Sequence, residues 1–279
     1  MDAVRDMIFR RTSRDGRQDA SQAGPKPVDH DLSLIVPAYN EERRLPSSLV
    51  AMRERLDEWG GDYRVVVVDD GSCDGTAQCA DGLGWRFSTL RMPCQSGKGA
   101  AVRAGMLHAT GGVVSFTDAD LPFDLDSLFR GFDWIRSNRC DVVFGARDLE
   151  EAEEVACRKV SRSIASFCFR QFVRLLVSSD VTDTQCGLKL FRRDAARRIF
   201  SRTLVDGFAF DAEVVLLAAR LGYRCARVPV SLINEYGSTL SLARHAAPML
   251  VDVLCTRVRD LCGMYGTSFE AVPVFSHEI

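Results

Sequence analysis

The sequence predicts an α/β fold with a mostly parallel central sheet flanked by helices, and three observations carry that prediction. Apolar runs rich in Val and Ile recur along the chain, as in "LSLIVPAY" from Leu32, "YRVVVVDD" from Tyr63 and "GGVVSFTDAD" from Gly111. Stretches of helical character fall between them, giving a βα rhythm. The runs are nearly continuous in apolar residues instead of alternating, which suits parallel strands covered on both faces. Such sheets carry ligand sites at the C-terminal ends of their strands, and here those ends are rich in acids.

Taken in order, residues 1–30 are polar, rich in Arg, Asp, Gly and Pro, and read as a disordered leader; "MDAVRDMIFRR" alternatively suits a short amphipathic interface helix. A single domain is expected over 31–265 and a tail over 266–279. Within the domain, the first strand gives way to a helix after "NEERRLP", and "YRVVVVDD" is the second strand. "RFSTLRM" is a third, "KGAAVRAGMLHA" a helix, "GGVVSFTDAD" a fourth strand and "CDVVFGAR" a fifth. The later half is more helical, near 159–178, 208–221 and 247–262, with Pro248 suited to a first helical turn. "GLKLF" and "CARVPVSL" are the remaining candidate strands.

Composition narrows the function. Thirty-six basic against 38 acidic residues leave a formal charge of −2, so no net positive field points to nucleic acid. The 10 cysteines form no CxxC pair and follow no secretory pattern, so they read as reduced thiols of a cytoplasmic protein. No apolar run reaches the ~18 residues that span a bilayer, which leaves membrane contact as peripheral.

The chemistry-bearing residues cluster at predicted strand ends. Asp69 and Asp70 follow "VVVV", and Gly71, Ser72, Asp74 and Gly75 turn the chain; alone, such acids are equally solvated turn formers. Asp118 and Asp120 are two positions apart, a spacing that in extended backbone sends both carboxylates to one side, toward a hard cation such as Mg2+ or Mn2+. In "QSGKGAA", Lys98 between Gly97 and Gly99 opens a helix, where backbone N–H groups and a lysine favour an anion. The phosphate-loop NTPase motif is incomplete here, and no GxGxxG follows the first strand, which sets aside kinase and dinucleotide-oxidoreductase readings.

The segments "IVPAYNEERRLP", "VVDDGSCDGTA", "GKGAAVRAGM", "FTDADLPF", "FGARD", "DTQCGLKLFRRDAA" and "FAFDAEVV" occur in this order. In that combination the chain resembles the family 2 glycosyltransferases of the GT-A fold, a Rossmann-like nucleotide-sugar-binding architecture. Within them it is most similar to the dolichyl-phosphate β-glucosyltransferases and other polyprenyl-phosphate glycosyltransferases. The resemblance covers residues 31–265, and "DTQCGLKLF" with "FDAE" is its most subgroup-specific part. It implies that Pro37, Tyr39, Glu41 and Asp69 hold the nucleotide base and ribose, and that Lys98, Asp118, Ala119 and Gln185 complete the nucleotide-sugar site. Asp183, Thr184 and Gln185 would line the sugar side. Asp118 and Asp120 would bind Mg2+ or Mn2+; Asp120, Asp211 and Arg147 would serve catalysis; Arg147, Arg158 and Arg162 would meet an acceptor phosphate, although pairing with Glu150–Glu154 is the ordinary alternative for these arginines. Glu213 is a second carboxylate in "FDAE", read either as a base or as a charge complementing a helix dipole.

The implied reaction is inverting transfer of a hexose, glucose from UDP-glucose, to dolichyl or polyprenyl phosphate. A phosphate acceptor, with a second pKa near ~6, is anionic at neutral pH and needs no base. A soluble hydroxyl acceptor, the alternative, would need a carboxylate such as Asp211. GDP-mannose as donor and a silent nucleotide-sugar-binding scaffold stand beside these. Eukaryotic dolichyl-phosphate glucosyltransferases carry an N-terminal membrane helix that this sequence does not show. Between 158 and 176, Arg158, Arg162, Arg170 and Arg174 share one helical face opposite Ile164, Phe167, Phe172 and Leu175, which suits either a membrane-surface helix or ordinary packing on the sheet.

Overall fold

A computed structural model describes residues 30–147, 186–231, 242–266 and 275–276. Strands β1 (Leu32–Ala38), β2 (Tyr63–Asp69), β3 (Phe87–Arg91), β4 (Val113–Phe116), β5 (Val142–Ala146), β6 (Lys189–Arg192), β7 (Cys225–Pro229) and β8 (Phe275–Ser276) form one sheet. Its order is β3-β2-β1-β4-β6-β5-β7-β8, with β6 antiparallel to both neighbours and every other pair parallel. Helices are α1 (Leu45–Trp59), α2 (Lys98–His108), α3 (Asp126–Arg136), α4 (Arg193–Phe200), α5 (Phe210–Arg220) and α6 (Leu242–Leu261).

The continuous apolar strands are explained by two cores, one on each face. Because side chains alternate across a strand, Ile35, Val66 and Val68 point to the side covered by α2, α4 and α5, where Phe116, Phe191, Phe200 and Phe210 pack together. Leu34, Val36, Val65 and Val67 point the other way, against Leu49 and Met52 of α1 and Leu128 and Phe132 of α3. Each such side chain, fully buried, contributes roughly 1.5–3 kcal/mol.

Two expectations are corrected. The fourth strand ends at Phe116, so Asp118 and Asp120 lie not in extended backbone but on a turn, closed by the Leu121 N–H to the Asp118 carbonyl at 3.1 Å with Leu121 at φ 42°. Helix α6 begins before Pro248, which therefore sits inside it; the proline is exposed, and water can serve the carbonyl that its missing N–H leaves. Helices α3 and α4 join the elements the sequence reading anticipated. The leader, the 158–176 helix and Arg158, Arg162, Asp183, Thr184 and Gln185 lie outside the described residues.

Candidate active site

The strand order reverses direction at β1: the chain moves from β1 out to β2 and β3, then returns to place β4 on β1's other side. At such a switch point the loops leaving the two strands diverge and open a crevice. Pro37 marks the divergence. Ile35 accepts the Thr117 N–H at 3.0 Å on the β4 side, and Pro37, two residues on, faces that same side just past the end of β4. Its missing N–H therefore costs no ladder bond.

Beyond Pro37 the loops after β1 and β2 are knitted together. Asn40, at φ 53°, donates its N–H to Ser72 Oγ (2.9 Å) and accepts the Cys73 N–H at its side-chain oxygen (3.0 Å). The Glu41 N–H reaches Thr76 Oγ1 at 2.8 Å, and the Glu41 carboxylate is gripped by Arg44 at 2.8 and 2.6 Å. Tyr39 stands at the rim, 37% exposed. Asp69 is buried beneath: Oδ1 accepts the Ser72 N–H at 3.0 Å, while Oδ2 has no hydrogen-bond donor among the described residues, only Arg91 Nε at 3.3 Å.

Asp70 does what the sequence did not reveal. Its two oxygens accept the Ser96 and Gly97 N–H groups, each at 2.8 Å, and so pin the turn that starts α2. Gly97 is required there, at φ 109°, and a Cβ would lie 2.4 Å from the Asp206 carbonyl oxygen. The expectation that the helix's N–H groups would take an anion is corrected. The Asp206 carbonyl already receives Gly99 N–H (2.8 Å) and Ala100 N–H (3.2 Å). The Lys98 side chain is what this turn offers to a ligand.

Lys98 Nζ donates to Asp118 Oδ1 at 2.5 Å. Against burial, which favours the neutral acid, Lys98 together with Lys189 and Arg147 holds the Asp118 carboxyl below its ordinary range. Arg147, directly after β5, is thus brought to the same site. Asp118 Oδ2 lies so close over Gly187 that a Cβ there would be 2.2 Å away, which explains the glycine of "QCG". Ala119 is buried behind the turn. In Asp120, burial and then the charge of Asp118 raise the carboxyl's pKa, with Arg44 and Lys98 opposing.

The donor set fits a divalent ion. Two carboxylates supply hard oxygens, and their mutual repulsion, visible in Asp120, is what a cation relieves. A hard cation held by two carboxylates completes its shell with water and phosphate oxygens.

Behind Asp118, Lys189 of β6 is wholly buried and bridges to Asp211 Oδ1 (2.6 Å) and the Cys186 carbonyl (2.7 Å), with Nζ 5.3 Å from the centre of the Phe116 ring. Burial raises the Asp211 pKa, and Lys189 and Lys98 oppose it. Glu213, one helical step on, is saturated by the Leu204 and Val205 N–H groups and the Tyr265 hydroxyl. Lys189 was missed by sequence reasoning, although a lone lysine inside apolar "GLKLF" and a lone pair of acids inside apolar "FAFDAEVV" are the signal that could have paired them.

Comparison with known proteins places the chain in a family. Residues 33–200 match the family described as Glycosyl transferase family 2. The chain is 35% identical over 254 residues to a dolichyl-phosphate beta-glucosyltransferase of Dictyostelium discoideum, covering 86% of this chain and 78% of that one. To the dolichyl-phosphate beta-glucosyltransferase of Homo sapiens it is 33% identical over 251 residues, covering 84% and 77%. Among solved structures, glucosyl-3-phosphoglycerate synthase from Mycobacterium tuberculosis in complex with Mn2+, UDP and glucosyl-3-phosphoglycerate superposes with a TM-score of 0.60 at 18% identity, covering 84% of this chain and 81% of that one. Its complex with Mg2+ and UDP gives 0.61 at 19% identity, covering 84% and 80%. The likeness to these structures establishes the shared GT-A fold, and with the family match across more than half its length this chain belongs to glycosyl transferase family 2 and is a glycosyltransferase.

Proposed function

We propose that this enzyme transfers glucose from UDP-glucose, with inversion, to dolichyl or another polyprenyl phosphate. The observation that carries the proposal is the convergence of Lys98, Asp118, Asp120 and Arg147 at the β1/β4 crevice of a chain whose curated relatives are named for that transfer. Pro37, Tyr39, Glu41 and Asp69 would form the nucleotide side, with Ala119 beside the metal-binding turn, and Gln185, with Asp183 and Thr184, would line the sugar side. Asp118 and Asp120 would hold Mg2+ or Mn2+, which when bound supplies positive charge against the departing diphosphate. Lys98 places a second cation on that diphosphate, and Arg147, with Arg158 and Arg162, receives the acceptor phosphate through guanidinium forks.

A phosphate oxygen, already ionised, attacks the anomeric carbon without a base. This agrees with the state of Asp211. A base must take a proton from its acceptor, whereas Asp211 is 7% exposed and committed to Lys189. We therefore assign it to fixing the floor of the site. A hydroxyl acceptor finds no comparable support. For the lipid, α6 presents Val251, Leu254, Val258 and Leu261 exposed along one side, which suits contact with a membrane surface. Among the described residues no helix is long and apolar enough to cross a membrane.

The test is nucleoside diphosphate release from UDP-glucose, GDP-mannose and UDP-N-acetylglucosamine, with Mg2+ or Mn2+, with and without a short-chain polyprenyl phosphate. Turnover of UDP-glucose that requires the lipid phosphate is the expected result. Transfer indifferent to that phosphate would move the acceptor to a soluble hydroxyl, and preference for GDP-mannose would overturn the donor.

A further inference from the structure

Glu213 is wholly buried in the first turn of α5, and its hydrogen bonds lead away from the reaction centre and then back to it. The carboxylate accepts the Leu204 N–H at both oxygens (3.0 and 2.9 Å), the Val205 N–H (2.9 Å) and the Tyr265 hydroxyl (2.7 Å). The next residue in that segment is Asp206. Its carbonyl takes the Gly99 and Ala100 N–H groups of the first turn of α2, and its carboxylate takes Arg103 at 2.5 Å. The two segments touch without slack: a Cβ on Gly97 would come 2.4 Å from the Asp206 oxygen, and one on Gly99 2.5 Å from the Val205 oxygen. Lys98 lies between those glycines.

We infer that Glu213 is a positioning residue for Lys98: by gripping the 204–206 segment it sets where the start of α2 stands, and hence where the Lys98 ammonium meets Asp118 and the donor diphosphate. Asp70 pins the same turn from the sheet side through Ser96 and Gly97. Tyr265, just beyond α6, ties that helix into the same grip. The inference rests on the donor-site reading above, and it removes Glu213 from the candidates for a base. Glutamine in its place keeps an oxygen for the Leu204 and Val205 N–H groups and turns its NH2 to the Tyr265 oxygen, but takes no proton.

The experiment compares wild type, Glu213→Gln, Glu213→Ala and Tyr265→Phe by calorimetric titration with UDP and Mn2+, and by steady-state kinetics with UDP-glucose and a short-chain polyprenyl phosphate. Glu213→Ala, which takes the acceptor from the Leu204 and Val205 N–H groups, should weaken UDP binding and raise the donor KM by about tenfold or more, with a smaller change in kcat. Tyr265→Phe, losing one bond, should weaken binding by about threefold. Glu213→Gln should stay within about threefold of wild type with an unchanged pH profile, the rescue that a positioning role allows. A Glu213→Gln enzyme as impaired in kcat as Glu213→Ala would make the carboxylate a base and overturn the inference. So would a folded Glu213→Ala protein that binds UDP as wild type does; should that variant fail to fold, an unchanged UDP affinity in Tyr265→Phe overturns it instead. If wild type itself does not bind UDP, the donor-site reading fails, a result distinct from either of these.

Discussion

The two ends of the sheet hold the same residue types and use them in opposite ways. At the N-terminal end, Asp141, immediately before β5, accepts the Arg224 backbone N–H, Nε and Nη2, each at 3.0 Å, and Arg192 Nη1 at 2.7 Å. Burial alone would raise its pKa, yet these donors hold it below the ordinary range. At the C-terminal end Asp118 and Asp120 lie beside Lys98, with Arg147 nearby, above a floor in which Asp211 is committed to Lys189. Asp118 is held down, while Asp120 is pushed up. A carboxylate that serves the fold is saturated by its own protein, whereas a cluster left short of donors has capacity for a ligand's charge.

The largest effect expected from this contrast is on turnover. Asp120→Asn should cut UDP release from UDP-glucose by about 10²–10³-fold while leaving the melting temperature within a few degrees, because its charge is used on ligands and not on the fold. Chelation with EDTA should cause a similar loss, restored by Mn2+. A large fall in melting temperature for Asp120→Asn would break the comparison. Lys189→Met comes next and acts on stability. It strands the Asp211 charge in a site where the lysine is 0% and the aspartate 7% exposed. A loss of about 3–5 kcal/mol in urea unfolding is expected, and Lys189→Met/Asp211→Leu, which removes both charges, should recover most of it.

Much of this arrangement could be read from the sequence. The strands over Leu32, Tyr63 and Val113, the helix from Lys98 and the acids beyond each strand followed from apolar period and turn chemistry. What escaped was set by pairing in three dimensions. The antiparallel direction of β6 leaves no mark, because a buried "KLFR" has the same pattern run either way. Helix α3 starts among the acids of "FDLDS", where no apolar period marks its first turn, and α4 is an eight-residue helix with four charged residues. Asp70 looked like a turn former beside Asp69, and only the fold shows that it reaches 26 and 27 residues ahead to Ser96 and Gly97. The helix-start rule that predicted open N–H groups at the start of α2 failed for the same reason: a carbonyl more than 100 residues away, on Asp206, takes those of Gly99 and Ala100.

The smallest of the effects sharpens the contrast from the other end. Asp141→Asn keeps the shape of the side chain but gives up the charge that faces Arg192 and Arg224, which are 41% and 46% exposed and so partly screened. A loss of about 1–2 kcal/mol at neutral pH is expected, with donor turnover unchanged, since the site lies at the other end of the sheet. Its sign with pH follows from the depressed pKa. The unfolded Asp141 takes up a proton near its ordinary value of about 3.9, before the folded one does, so its contribution is complete above that value and fades as pH falls through the lower folded value. Urea unfolding of wild type and Asp141→Asn should therefore differ fully at pH 7 and converge in the acid limb below about pH 4. A difference that persisted unchanged into that limb would mean that Asp141 contributes through the second acceptor oxygen that asparagine lacks and not through its charge, and the two ends of the sheet would then differ in more than how completely their carboxylates are paired.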